Sequence, residues 1–223
     1  MKRKYFLNVP MNNPFLKNKA AEAYDKHLSL PIIKTVREQE SRAINDLSEK
    51  YLGKDDHVLE IGAGTGYYSM NIALRVRSLI ALEPSTAMSN FLEKKITAEG
   101  TGNISIINSS FEDYKSQSKF DHVVAFGVLD YVEDWENFLE RCLGLAEKTV
   151  IFTAPQKGIW SAICVLTSRM EQKIKIHRHT KKQLENYLSD YETQIQETAL
   201  KSSLTRGMTL IVVAKKRKNT ISK

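Results

Sequence analysis

The chain is 223 residues long, 42% hydrophobic and 26% charged, with a formal net charge of +7. Those values fit one soluble globular domain with a full core. Only two cysteines, Cys142 and Cys164, are present, which excludes a disulfide framework and points to a reducing compartment.

The basic balance is compatible with nucleic acid or an anionic membrane surface and establishes neither. Part of it lies in two terminal runs, Lys2-Arg3-Lys4 and Lys215-Lys216-Arg217-Lys218, which read as solvated tails. Tyr5 to Pro14 has no apolar core of signal-peptide length. The longest apolar run, Ile159 to Leu166, is far short of a membrane span, so a cytoplasmic location is expected.

Residues 1–18 are irregular, with Pro10, Asn12, Asn13 and Pro14 as turn signals. A helical pattern from Lys19 to Leu28 is interrupted by Pro31. A longer helix follows from Ile32 to Tyr51, with Ile33, Val36, Ala43, Ile44 and Leu47 on one apolar face and Gly53 at its end. Helices placed before the first strand suggest a lid over a ligand face.

Val58 to Ile61 reads as a buried strand, and Gly62, Gly64 and Gly66 follow it at alternate positions before a helical pattern from Tyr67 to Val76. A strand that turns through glycines into a helix leaves bare backbone at the strand's carboxyl end. In open parallel sheets, ligands bind at that end. A dinucleotide fingerprint, G-x-G-x-x-G, needs its third glycine where this chain has Tyr67. Ser78 to Glu83 is the second strand, and it ends in an acid about 20 residues past the first glycine, where a doubly wound fold presents a carboxylate to ribose hydroxyls. Pro84 leads into a helix capped by Ser85 or Thr86.

Gly100-Thr101-Gly102 breaks the chain before a third strand, Ile104 to Ile107. Phe120 to Gly127 is the fourth strand and its exit, and Val128-Leu129-Asp130-Tyr131-Val132 opens a loop. Asp134-Trp135-Glu136 starts an amphipathic helix ending near Gly144, with Phe138, Leu139 and Leu143 inward. Lys148 to Ala154 is the fifth strand, closed by Pro155. Residues 156–178 form an insertion with an apolar segment around Trp160 and a basic run including Lys173, Lys175, His177, Arg178 and His179. It reads as a packed cap with a solvated exit, or as a substrate lid or a patch touching anionic lipid or a phosphate. Thr180 caps a helix to Leu188, and Glu192 to Ala199 and Met208 to Ala214 form a closing pair of strands. Strands and helices alternating at this spacing argue a mostly parallel sheet with helices on both faces.

The order E-x-G-x-G-x-G beginning at Glu60, the segment Leu82-Glu83-Pro84-Ser85 and the F-D-x-V at Phe120 together resemble the class I, Rossmann-like methyltransferases that use S-adenosylmethionine. The resemblance covers residues 55–155 motif by motif and 179–215 in topology. It implies an α/β, doubly wound sheet of about seven strands, mostly parallel with an antiparallel last strand. It divides the chain into an N-terminal helical cap (1–53), a cofactor-binding domain (54–215) with the cap insertion at 156–178, and a basic tail (216–223).

The same resemblance implies site residues. Glu60, Gly62, Ala63, Gly64 and Gly66 would surround the cofactor's amino-acid part, and Glu83 with Pro84 and Ser85 the ribose. The family often has an adenine-contacting aspartate where this chain has Ser110, so Ser110, Phe111 or Glu112 takes that task, with Glu112 also readable as a helix-start acid. Phe126 stands at the exit of the fourth strand. Tyr24, in Ala-Glu-Ala-Tyr-Asp, resembles an A-x-x-Y-D segment of small-molecule methyltransferases and reads equally as a core aromatic. Tyr131 and Trp160 are candidates for the substrate or lid side.

The expected chemistry is in-line methyl transfer to a small molecule at oxygen, with S-adenosylhomocysteine as product. Candidates for a general base are Asp130, His27, His177 and His179, with Asp130 nearest the expected site in sequence order. No metal-ligand cluster is visible. Amino-methylating nucleic-acid enzymes carry N-P-P-Y or D-P-P-Y after the fourth strand, whereas this chain has Phe126-Gly127-Val128-Leu129, which disfavours that target. The other readings are an NAD-binding oxidoreductase and a non-catalytic scaffold of the same fold. The oligomeric state is left open.

Overall fold

The computed structural model describes residues 31–156, 176–199 and 206–216. Most of the N-terminal cap, including Tyr24 and His27, and most of the insertion, including Trp160, lie outside the described residues. In chain order the elements are α1 (Pro31–Tyr51), β1 (His57–Ile61), α2 (Ser69–Ala73), β2 (Ser78–Leu82), α3 (Thr86–Glu99), β3 (Ile104–Ile107), β4 (Phe120–Ala125), a 3-10 turn (Leu129–Tyr131), α4 (Trp135–Leu145), β5 (Ala146–Pro155), α5 (Lys181–Tyr187), β6 (Tyr191–Ala199) and β7 (Arg206–Lys216).

The strands form one sheet in the order β3-β2-β1-β4-β5-β7-β6. β1 to β5 pair in parallel, and β7 runs antiparallel to both β5 and β6, so the last strand of the chain is the reversed one. This is the expected doubly wound architecture. Because side chains alternate across a strand, each strand feeds two cores. Leu59, Val123, Val150, Phe152 and Val212 face α4 and α5, meeting Leu139, Cys142, Leu184 and Leu188. Val58, Val124, Ile151, Ile211 and Val213 face the other way, meeting Ala43, Ile44 and Leu47 of α1 and Ile72 of α2. Strands buried on both faces explain why these runs are continuously apolar instead of alternating.

Several boundaries differ from the sequence expectation. The helix after the glycines is only Ser69–Ala73, because Tyr67 and Tyr68 are spent in the turn and the chain leaves at Leu74. Pro31 is the first helical residue of α1, where its missing N–H costs nothing. β5 begins at Ala146, which is buried and paired with Phe120. α1 lies on a sheet face through Ala43, Ile44 and Leu47, and its end is tied to β6 where Lys50 and Tyr51 both donate to Gln194 Oε1, at 2.9 and 3.1 Å. A helix held this way is part of the core, not only a lid.

The amino ends of the strands carry a polar network. His122 is buried, and its Nε2 lies 3.1 Å from Asp56 Oδ2 and its Nδ1 2.6 Å from Thr149 Oγ1. Gly53 N–H donates to Asp56 Oδ2 at 2.6 Å. Lys148 bridges Asp56 at 2.5 Å and Asp121 at 2.9 Å, and Asp121 also accepts from His57 N–H. The aspartate of F-D-x-V is therefore a structural tie at the end of the sheet away from the glycine turn. Burial opposes the Asp56 carboxylate, but Lys148, the Gly53 N–H and His122 hold its carboxyl below the usual range. Burial pushes the His122 ring below its ordinary value against the pull of Asp56. A neutral ring beside an ionised Asp56 carries its proton on Nε2 and accepts from Thr149 on Nδ1.

No helix among the described residues is long and apolar enough to cross a membrane. Cys142 is buried in the core, and burial pushes its thiol up, which makes it unreactive.

Candidate active site

β1 delivers the chain into the glycine turn at the carboxyl ends of the central strands. Gly62, Gly64 and Gly66 all have positive φ, at 71°, 57° and 77°. Gly62 and Ala63 both donate N–H to Leu82 O, at 2.8 and 3.2 Å, which pins the turn to the end of β2. The three glycines have different reasons to be glycine. A Cβ at Gly62 would stand 2.5 Å from Val128 Cγ2, and one at Gly66 would stand 2.2 Å from Leu92 Cδ1. At Gly64 nothing lies within 4 Å. At two of them a methyl would have to displace a neighbouring side chain at a left-handed φ, and Gly64 leaves bare backbone facing open space.

This division predicts different failures. Gly66→Ala forces a methyl into Leu92 at a left-handed φ and should destabilise the fold by about 1–3 kcal/mol. Gly64→Ala has only the backbone strain to bear, so its larger effect should fall on ligand affinity. Thermal melts of both variants, with and without ligand, separate the two roles.

Glu83 sits just past β2 and is buried. Its Oε2 accepts from Gly64 N–H and its Oε1 from Ser85 N–H, both at 2.8 Å. Burial raises its carboxyl above the ordinary value, and the Ser85 and Gly64 N–H groups pull it back. Each oxygen keeps lone pairs for further donors. Ser85 is the N-cap of α3, its Oγ accepting from Met88 N–H, while Pro84 is exposed. Asn108, which sequence reasoning passed over, holds this corner by donating to Glu83 O at 2.8 Å and to Ser89 Oγ at 3.2 Å. Glu60, inside β1, is buried and accepts from Ser69 Oγ at 2.5 Å. Burial, and then the nearby Glu83 charge, push its carboxyl up to about 8, so Glu60 is largely protonated at neutral pH.

Beyond β3, Ser110 Oγ donates to Asp113 Oδ2 at 2.8 Å and accepts from Asp113 N–H at 3.2 Å, a reciprocal turn lock. Phe111 is a core residue: its ring meets Phe138 at 5.2 Å and lies under the Arg141 guanidinium at 4.2 Å. Arg141 also donates to the Phe111 carbonyl at 2.8 Å, so one side chain from α4 fixes this turn. Glu112 is half-buried beside it. Phe126, at the end of β4, packs on Tyr68 with ring centres 5.0 Å apart, and Gly127 N–H donates to Thr153 Oγ1 at 2.7 Å.

Asp130 lies in the 3-10 turn after β4, followed by Tyr131. Its carbonyl accepts from His177 N–H at 2.7 Å, which fastens the turn to the coil that leads into α5. Burial, and then the Glu40 charge from α1, push the Asp130 carboxyl up to about 7. His179 is buried beside this turn, its N–H donating to Pro155 O at 2.7 Å and its ring meeting Trp135 at 5.3 Å. That packing makes its ring part of the wall. Among the described residues, no group of three or more His, Cys, Asp or Glu side chains is arranged to hold a metal.

Residues 58–148 match a family model described as a methyltransferase domain. Over that segment the chain is similar to a methyltransferase domain, and its strand order is that of the class I, Rossmann-like fold. Its fold is shared with magnesium protoporphyrin IX methyltransferase from Synechocystis PCC 6803, solved with S-adenosylmethionine bound, at a TM-score of 0.70 and 14% identity over 97% of this chain and 100% of that one. Among curated proteins, it is 20% identical over 187 residues to a malonyl-[acyl-carrier protein] O-methyltransferase of Priestia megaterium, covering 82% of this chain and 65% of that one. It is 25% identical over 138 residues to "Probable (S)-tetrahydroprotoberberine N-methyltransferase 2" of Papaver bracteatum, covering 60% of this chain and 37% of that one. The chain thus spans less than two thirds of the length of these curated relatives.

At the carboxyl ends of the strands, the glycine turn and Glu83 stand together as their spacing suggested. Glu40, Asn108, Arg141 and Thr153 come to the same end of the sheet without a sequence signal.

Proposed function

We propose that the protein binds S-adenosylmethionine at the glycine turn and transfers its methyl group to a small-molecule acceptor, at oxygen. The observation that carries the reading is the open side of Gly64 beside a buried Glu83 bonded to that same residue's N–H. The Cβ position of Gly64 is open space, so a ligand can approach its backbone closely, and Glu83 offers the acceptor-only pair of oxygens that vicinal ribose hydroxyls require. The residues present fit the cofactor.

In this reading the backbone from Gly62 to Gly66, with Glu60 behind it, holds the amino-acid part, and Glu83 takes the ribose. Ser110 and Phe111 are engaged with Asp113 and with Phe138 and Arg141, so the turn's backbone and Glu112 are what remain for adenine. When bound, S-adenosylmethionine supplies a methyl group on a sulfonium already activated by its charge. The protein's share is therefore alignment, worth about 7–11 kcal/mol in favourable cases, exclusion of water, and removal of a proton. Asp130, in the 3-10 turn that follows β4 at the carboxyl end of the sheet, is the base, and its carboxyl, raised to about 7, can take an acceptor hydroxyl proton at neutral pH. Tyr131, in the same turn, lies on the acceptor side.

The test is calorimetric titration with S-adenosylmethionine, S-adenosylhomocysteine and, separately, NAD. Both adenosyl ligands should bind and NAD should not. Glu83→Ala should weaken adenosyl binding by about 10–100-fold, as loss of a buried charged hydrogen-bond acceptor does. A screen of hydroxyl and carboxyl acceptors, read as methylated product by mass, then names the substrate. Silence from both adenosyl ligands sinks the reading.

A further inference from the structure

Beside the glycine turn, on the outer face of the molecule, lies an open groove of about 420 Å³. Thr65 and Tyr67 form one wall, and Phe91, Lys94 and Lys95 of α3 form the other. Glu83, Gly64 and Phe126 do not line it, and it meets the glycine turn only at Thr65, so it adjoins the site described above from the α3 side. Phe91, Lys94 and Lys95 stand three and four residues apart, which places them on one side of α3, while Met88, Ser89 and Leu92 fill its buried side. Tyr67 is 37% exposed, and its ring meets Tyr68 edge-on with centres 5.0 Å apart. Among the described residues, no carboxylate pairs with Lys94 or Lys95, although ion pairs form elsewhere on the surface.

A groove with Tyr67 on one wall and Phe91, Lys94 and Lys95 on the other offers aromatic and cationic groups to a planar ring joined to an anion. The rings offer stacking that tolerates any base, and the lysines offer point charges for phosphate oxygens. A volume of this size suits one small ligand. The geometry points to a second ligand site here, for a nucleoside phosphate, on the α3 side of the glycine turn. It does not rest on methyl transfer. A carboxylate-bearing aromatic shares part of this chemistry, and a mononucleotide is the form that uses both lysines through one phosphate.

The experiment is calorimetric titration of the full chain with AMP, UMP and inorganic phosphate, in the presence of saturating S-adenosylhomocysteine so that the adenosyl site is closed. Both nucleotides should bind, and phosphate alone should bind about tenfold more weakly because it lacks the stacking contribution. Lys94→Ala with Lys95→Ala should weaken nucleotide binding by about tenfold or more and remove most of its salt dependence. Lys94 is exposed and Lys95 half-buried outside the core, so circular dichroism should show an intact fold. Abolition of nucleotide binding by S-adenosylhomocysteine, or equal binding by the double variant, overturns the site. Binding of phosphate as tight as that of the nucleotides overturns its aromatic half. Should S-adenosylhomocysteine itself not bind, the function proposed above fails, and the lysine variant alone still decides the groove.

Discussion

Asp130→Asn will lower kcat by about 10²–10⁴-fold on the acceptor that the screen identifies, with little change in cofactor affinity. The substitution keeps the side chain's shape and removes its ability to take a proton. The wild-type rate should rise with pH through about 7, because burial and then Glu40 raise the Asp130 carboxyl to that value and only the ionised form is a base. Glu40→Gln removes a like charge, so the midpoint should move to lower pH. The stability sign is opposite. A carboxyl raised from 3.8 to about 7 gives stability that is full below its unfolded value and lost as pH rises through the folded one. Asp130→Asn should therefore melt higher than wild type above pH 7, as is expected of a site that trades stability for chemistry. A flat pH–rate profile from 5 to 9 with kcat unchanged in the variant would show that Asp130 is not the base.

Asp56→Ala will cost about 2–4 kcal/mol of stability, because it strips partners from the Gly53 N–H and the buried His122 Nε2–H, each worth about 1–3 kcal/mol when left unmet. For a chain of this size that is a fall in Tm of about 6–12 °C. Lys148→Ala should cost at most about 1 kcal/mol, since its side chain is 53% exposed and water screens the pair. The pH dependence follows from the directions of the shifts. Asp56 and Asp121 are held below the ordinary 3.8, so their contribution is present above that value and lost as pH falls through the folded one. His122 is pushed below 6.5, so the unfolded chain binds a proton there first and stability declines as pH falls below 6.5. Denaturant melts at several pH values should thus show the gap between wild type and Asp56→Ala closing in strong acid. An Asp56→Ala variant as stable as wild type at neutral pH would mean the network contributes nothing.

Much of this protein was written in short-range pattern. The alternation of apolar strands with helices is set by neighbours in sequence, so five parallel strands and the closing pair were readable, although their ends shifted by one or two residues. The glycine spacing separated this turn from the dinucleotide type, and the acid at the end of the second strand lay at the interval that brings it to the same turn. Those features are local because a tight turn and a strand end are made by a few consecutive residues.

What spacing did not carry was the division of labour. Gly62, Gly64 and Gly66 look alike in sequence, and only the approach of Val128 and Leu92 from other elements sets two of them apart from the open Gly64. Asp130 was a candidate by position, but its raised carboxyl depends on burial and on Glu40, a residue of the first helix. Asp56, His122 and Lys148 gave no motif, since they meet only because β1, β4 and β5 lie side by side. The sequence by itself determined the fold class and the ligand-facing end of the sheet, through local periodicity and backbone freedom. Tertiary structure alone decided which side chains are buried together, because desolvation and charge act across distances that strand order, not sequence order, makes short.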